Sequence, residues 1–163
     1  MAYHANVLVI ASVTSASPDL IEALKTRAER GPIAATLLLP ATEPGLAGKE
    51  AARPRLEEAL AAWREAGLEA EGVVGDRDPV EAVHEIWEPG RFDEVVVSTL
   101  PGATSKWLTF DFPHRVARIT DASVTHVIAR PPGWEEHQAH PAPQHERAPL
   151  GPLSVLSWGG RRA

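Results

Sequence analysis

The chain has 163 residues, 44% of them hydrophobic and 23% charged, which is the composition of one globular domain that buries its own core. It contains no cysteine, which excludes disulfides, thiolate metal sites and cysteine nucleophiles. A net charge of −6 argues against a nucleic-acid-binding surface, because neutralising phosphates requires clustered basic residues.

No membrane or export segment is apparent in the sequence. The first apolar run, Val7 to Ala11, is too short for a secretory signal sequence, and it lacks a preceding basic stretch. No apolar run approaches the roughly 20 residues that span a bilayer. We therefore expect a cytoplasmic protein that binds neither membranes nor nucleic acids.

The N-terminal segment predicts a buried strand followed by a helix. Residues Asn6–Ser12 (NVLVIAS) are β-rich without clear alternation, which is typical of a strand buried on both faces of a parallel sheet. Ser17 then precedes Pro18 and Asp19, a pattern typical of a helix N-cap followed by the first helical turn. Gly31 predicts the end of this helix.

A second strand and helix follow. Residues Ala35–Pro40 (ATLLLP) predict another buried strand, and the composition of Thr42–Glu50 (TEPGLAGKE) indicates a loop. Residues Arg53–Ala66 predict a helix, with apolar residues three and four positions apart. Residues Glu69–Gly75 alternate more clearly, so we expect a third strand at an edge of the sheet.

The remaining elements continue the alternation. Asp78 has the position and side chain typical of the N-cap of a third helix. Further along, the sequence predicts a fourth strand at Asp93–Ser98, a helix at Pro113–Thr120 and a fifth strand at Ser123–Ala129. Strands that alternate with helices predict an α/β fold with a parallel sheet and helices on both faces. Ligands on such sheets bind beyond the carboxyl ends of the strands, where the strand order reverses.

The last part of the chain differs from the rest. Residues 131–163 are rich in proline and histidine without periodicity, which predicts an extended or mobile arm. Near its end, Leu153–Trp158 (LSVLSW) is apolar again and is expected to dock on this domain or on a neighbouring one. The sequence therefore predicts an α/β domain over residues 1–130 and a C-terminal arm over residues 131–163.

Residues 5–130 resemble the universal stress protein family, a nucleotide-binding type of α/β fold. The strand FDEVVVST (Phe92–Thr99) with a long loop after it, and SVTHVIA (Ser123–Ala129) after the last helix, carry the resemblance. It implies a three-layer sandwich whose five-stranded parallel sheet has the order 3-2-1-4-5. It also implies a homodimer that pairs through the Ser123–Ala129 edge strand, to which the C-terminal arm could contribute.

ATP-binding members of that family carry a Gly-x2-Gly-x9-Gly-Ser/Thr motif after the fourth strand. The glycines let backbone N–H groups approach the phosphates. In this chain the motif positions, counted from the end of the fourth strand, are occupied by Ser98, Pro101, Asp111 and Phe112. The acidic residue that the family has after its first strand is also absent, because Ala11 and Ser12 stand there. The cofactor is therefore left unknown: the sequence disfavours ATP and other nucleotides, and a nucleotide- or phosphate-binding protein is kept as the alternative.

Hydroxyl and basic residues beyond the first and fourth strands are candidates for binding a phosphate or another anion. In the alternative interpretation, Thr104 and Ser105 cap a turn, Asp111 caps the following helix, and the neighbouring basic residues are simply solvated. The candidate ligand-binding residues are Ser12, Ser98, Thr99, Gly102, Thr104, Ser105, Lys106, His114 and Arg115.

Aromatic and histidine residues give weaker indications. Trp107 and either Phe110 or Phe112 could stack on a base, although we favour the interpretation that they plug the end of the sheet. The spacing of the arm histidines matches no zinc signature, so no metal site is predicted, and His126 is expected to be a partly buried strand residue rather than a ligand. The arm histidines are His137, His140 and His145.

Three functional hypotheses follow, and the first is preferred. The protein is a non-enzymatic binding or regulatory domain of the universal stress type. Alternatively, it is an enzyme acting on small phosphorylated or nucleotide substrates, with the Ser98–Lys106 loop holding the phosphate and His114 as the acid or base. In the third hypothesis it binds no ligand and acts only through protein contacts.

Overall fold

The computed structural model describes residues 3–102 and 111–134, in which strands and helices alternate along the chain. The elements, in chain order, are β1 (Ala5–Ile10), α1 (Pro18–Ala28), β2 (Ile33–Pro40), α2 (Gly45–Glu65), β3 (Glu69–Gly75), α3 (Pro79–Ile86), β4 (Glu94–Thr99), α4 (Phe112–Thr120) and β5 (Ser123–Ile128).

The five strands form one parallel sheet in the order β3-β2-β1-β4-β5, which confirms the predicted fold class and strand order. The predicted edge position of β3 is confirmed as well. The strand order reverses between β1 and β4, where Ile10 pairs with Val97. The residues that follow these two strands therefore lie next to each other at the carboxyl edge of the sheet.

The sheet is covered on both faces, which explains why β1 and β4 lack alternation. Val7 and Val9 pack on one face against apolar residues of α1 and α2, including the fully buried Trp63. Leu8 and Ile10 pack on the other face against α3 and α4. Asn6 near the start of β1 is exposed and Glu94 at the start of β4 is half-buried, but every later side chain of these two strands is buried. These strands therefore have no continuous polar face, and their sequences do not alternate.

The start of two helices is fixed by the caps that the sequence predicts. The Ser17 side chain accepts a hydrogen bond from the Asp19 N–H at 3.2 Å, and the Asp78 side chain accepts one from the Val80 N–H at 2.8 Å. Each helix has proline at its first position, where the missing N–H costs nothing.

The predicted loop at Thr42–Glu50 is wrong from Gly45 onward, because α2 begins there and runs to Glu65. Pro54 lies inside this helix, one residue after the predicted start at Arg53. Gly48 is buried in the first turns, where its backbone packs directly against Glu43. Glycine and proline usually interrupt helices, so tertiary packing here overrides local propensity.

Within the described residues, none of the helices is long and apolar enough to cross a membrane. The predicted arm lies outside these residues beyond Trp134, and so do its histidines and the Leu153–Trp158 segment.

Candidate functional site

Three of the predicted site residues lie together at the carboxyl edge of the sheet, where the strand order reverses. Ser12 follows β1, and Ser98 and Thr99 end β4. The Ser98 side chain is buried and shares a 2.8 Å hydrogen bond with the Thr14 hydroxyl from the β1–α1 loop. Its hydroxyl thus joins the end of β4 to the β1–α1 loop.

The β1–α1 loop is held in place by two further contacts. The indole N–H of Trp63 donates to the Ser15 carbonyl at 2.8 Å, and the Ser17 hydroxyl donates to the Arg130 carbonyl at 2.5 Å. Ser12, at the beginning of this loop, is half-buried, and its hydroxyl has no hydrogen-bond partner among the described residues. Of the predicted hydroxyls in the described part, Ser12 is therefore the one available to a ligand.

Thr99 contacts a histidine that the sequence analysis did not place in the site. Its hydroxyl and His126 Nε2 on β5 share a 2.6 Å hydrogen bond. Partial burial lowers the pKa of His126 below the ordinary value of 6.5, which favours the neutral ring. The expected strand position of His126 is confirmed, and its hydrogen bond with Thr99 places it beside one of the candidate residues.

The N-terminus of α4 differs from its prediction. Asp111 occupies the N-cap position, but its side chain makes no capping hydrogen bond. Its backbone adopts the left-handed conformation (φ 51°), and its carboxylate accepts a 2.6 Å hydrogen bond from His114 Nδ1. The predicted cap is therefore wrong, because the carboxylate is engaged by His114 instead of a backbone N–H. Both side chains, and that of Arg115, are exposed.

The other predicted residues are placed as follows. Gly102 is exposed and left-handed (φ 74°), as a turn after β4 requires. Phe112 is 2% exposed and packs in the core with α3, so it is not accessible for stacking on a base. Thr104, Ser105, Lys106, Trp107 and Phe110 lie outside the described residues.

Two residues of this edge, Thr14 and His126, were not identified from the sequence. Thr14 is 84 positions from Ser98, and His126 is 27 positions from Thr99, so no local motif connects them. The available signal was the topology: β1, β4 and β5 are neighbours in the predicted order. In the described part of the chain, no three His, Asp or Glu side chains come together in a way that could hold a metal ion.

The fold and this polar edge define a class: a small, doubly wound α/β domain with its candidate site at the strand-order reversal. Solved structures of universal stress proteins share this fold. One, a universal stress protein in complex with cAMP, has a TM-score of 0.54 at 23% identity and covers 80% of this chain and 100% of its own.

A universal stress protein from Archaeoglobus fulgidus has a TM-score of 0.56 at 14% identity, covering 77% of this chain and 98% of its own. The structure of that organism's protein in complex with dAMP has a TM-score of 0.52 at 14% identity, covering 78% and 99%. No protein-family model matches the sequence, and no curated protein matches it. The chain has the fold of the universal stress proteins.

Proposed function

We propose that this protein is a non-enzymatic binding or regulatory domain of the universal stress type, and that ATP is not its ligand. The observation that carries the proposal is the exposed carboxylate of Asp111 at the N-terminus of α4. That end of a helix is where free N–H groups and the helix dipole would otherwise attract phosphate.

The positions of the glycine motif support this proposal. Ser98 and Phe112 are both buried. Each carries a side chain that glycine lacks, so its backbone N–H cannot approach a phosphate as closely as that of glycine. Pro101 has no N–H to donate. Asp111 has the left-handed backbone conformation that glycine adopts easily, but its side chain adds a carboxylate at this position. Two like charges 4 Å apart repel by roughly 1 to 4 kcal/mol between bulk water and a protein surface, and a triphosphate carries several.

The arrangement of the histidines supports a binding domain rather than an enzyme. Nucleophilic catalysis needs a hydroxyl, a base and a group that orients the base. In residues 3–102 and 111–134, His126 contacts a hydroxyl and His114 contacts a carboxylate, but neither ring contacts both. The parts of a catalytic triad are therefore divided between two places.

A nucleoside monophosphate is the second candidate, because two of the similar structures hold cAMP and dAMP. A monophosphate brings less charge to Asp111 than ATP does. Ser12 and Arg115 offer a hydroxyl and a guanidinium without partners among the described residues. If this ligand is instead a substrate, His114 is the candidate acid or base, and His114→Ala would abolish turnover while leaving binding intact.

We also propose a homodimer that pairs through the outer edge of β5. The Ala129 N–H donates to the Thr99 carbonyl of β4, so alternate residues along β5 point their backbone groups away from the sheet. Outward-facing groups of this kind are a template for another strand. The residues concerned are Val124, His126 and Ile128.

The nucleotide proposal is tested by thermal-shift and calorimetric titration with ATP, ADP, AMP and cAMP in the presence of Mg²⁺, together with acid extraction of the purified protein. The wild type is expected to release no ATP and to bind ATP more weakly than AMP. Asp111→Asn keeps the left-handed backbone, which Asn tolerates, and removes the charge. It should tighten ATP binding about tenfold, a change of ~1.4 kcal/mol.

Asp121→Asn is the matched control, because Asp121 is the other left-handed aspartate and lies at the opposite end of α4. It should leave nucleotide binding unchanged. Co-purification of ATP with the wild type, or tighter binding of ATP than of AMP, would contradict the proposal.

A further inference from the structure

A groove runs between α1 and β5 on the sheet face that carries α1 and α2. It encloses about 350 Å³. Its apolar floor comes from Ala23 and Leu24 of α1 and from Val96 and Val127 of the sheet, and Arg27 and Arg30 flank one end. Arg27 is paired there with Glu94, with an Nη2–Oε1 distance of 2.6 Å. Within the residues that the structure describes, helix α4 covers β5 on the opposite face, and α1 borders this face along the groove.

The chain leaves β5 at the other end of this groove and is fixed there. The Arg130 backbone N–H donates to Asp19 Oδ2 at 2.9 Å, its Nε donates to the same oxygen at 3.1 Å, and its carbonyl accepts from Ser17. The following residues, Pro131 to Trp134, line a cavity together with Pro18 and Asp19 at the start of α1. Everything after Trp134 therefore begins beside the mouth of the groove.

The remaining chain is long enough to return along the groove and contains one suitable apolar segment. Helix α1 is about 16 Å long at 1.5 Å per residue. The stretch 135–152 spans up to roughly 60 Å at about 3.3 Å per residue, so Leu153–Trp158 can reach any point of the groove. This segment is apolar between polar stretches, and burying it removes apolar surface of both partners from water.

We propose that the C-terminal arm binds its own domain, with Leu153–Trp158 seated in the α1–β5 groove. The outer edge of β5 stays open, because the groove lies on the face of the strand and not along its hydrogen-bonding side. The proposal does not depend on the ligand or on the catalytic class of the protein.

Cysteine cross-linking in the full chain tests the proposal, because the natural sequence has no cysteine. Thr26 is exposed and lines the groove. A Thr26→Cys/Val155→Cys variant should form an intramolecular disulfide under mild oxidation, seen as a faster-migrating monomer. The control pairs Val155→Cys with Glu58→Cys, an exposed position on α2, and should remain reduced.

The cross-linking experiment also distinguishes docking on a second copy of the chain from the absence of specific docking. A disulfide that forms only between two chains would place the arm on a second copy and overturn the proposal. Equal cross-linking of both cysteine pairs, or none of either, would overturn it as well.

Methyl NMR of the full chain supplies a second measurement that needs no cysteine. The Trp158 ring should shift the Val127 methyl resonances, and Trp158→Ala should remove this ring-current contribution. The methyl groups of Val80, in the opposite core, should stay unchanged. Val127 resonances that do not respond to Trp158→Ala would refute docking in the groove.

Discussion

Trp63 shows how a single buried polar atom positions the candidate site. Its side chain is fully buried, and its indole N–H holds the Ser15 carbonyl of the β1–α1 loop. Trp63→Phe removes this donor and leaves a small void. We expect the free energy of unfolding to fall by about 2–4 kcal/mol, because the carbonyl stays buried without its partner. Urea denaturation followed by circular dichroism measures the change.

Trp87→Phe is the control for that substitution. Trp87 is half-buried and stacks on Phe92 with ring centroids 5.8 Å apart, a contact that phenylalanine can retain. We expect a loss below about 1 kcal/mol. Equal losses in the two variants would show that the Trp63 hydrogen bond contributes nothing specific.

His126 should make folding stability depend on pH near neutrality. Its pKa is lowered in the folded protein, so the unfolded chain binds the proton more readily. Its stabilising contribution is complete above pH 6.5 and is lost as the pH falls through the lower, folded pKa. His126→Gln, which cannot titrate, should lose less stability than the wild type between pH 7 and pH 5.

Urea denaturation at three pH values, with an NMR titration of the His126 ring, measures this effect. A folded-state pKa above 6.5, or the same pH dependence in both proteins, would contradict the prediction.

The candidate site could be predicted only partly from the sequence, because its contacts join distant positions. Ser12, Ser98 and Thr99 were identified because they follow apolar strands, which is a local signal. Their partners Thr14 and His126 are found only once the strands are in register. Burial also changed the role of Ser98, because a hydroxyl that looks available in the sequence is engaged in the structure.

At the scale of elements, helix α2 shows where local propensity fails. Gly48 lies in its first turns, and a Cβ there would overlap the backbone of Glu43. In an ordinary exposed helix, Gly→Ala stabilises by about 1 kcal/mol. Here Gly48→Ala should instead destabilise by about 1–3 kcal/mol, because the backbone has to move. Thermal and urea denaturation measure the change.

Glu50→Ala provides the comparison, since Glu50 is exposed in the same part of α2. Its effect should lie within about 0.5 kcal/mol. Stabilisation by Gly48→Ala would show that the helix start relaxes freely.

Most of the elements could be predicted because their signals are short-range. Ser17 and Asp78 cap α1 and α3, as the proline and acidic residues next to them in the sequence indicate. The β-rich runs of the sequence correspond to the central strands. The start of α2 could not be predicted, because Gly45, Gly48 and Pro54 all argue locally against a helix. The packing of Ala52, Leu56 and Trp63 on the sheet stabilises it nevertheless.

At the scale of the whole molecule, the two edges of the sheet make a testable comparison. Ile128 on β5 and Val73 on β3 are exposed apolar residues on opposite edge strands. Lysine on an edge strand opposes pairing with a second copy. Ile128→Lys should therefore weaken the proposed homodimer at least tenfold, while Val73→Lys leaves it unchanged.

Sedimentation velocity over a range of protein concentrations measures both variants and the wild type. A wild type that stays monomeric at about 100 μM would refute the dimer, since that concentration exceeds ordinary dissociation constants of specific dimers. Weakening by Val73→Lys alone would assign the interface to β3.

The contact between Arg130 and the start of α1 joins residues 111 and 113 positions apart. On the ribosome, Asp19 emerges early, and its partner follows only after about 6 to 20 s at ordinary elongation rates. During that interval β5 does not yet exist, and the apolar side of α1 near Leu24 is open to chaperones and proteases. A chain truncated before Arg130 therefore lacks the partner of Ser17 and Asp19, and we expect the start of its first helix to be less protected from proteolysis.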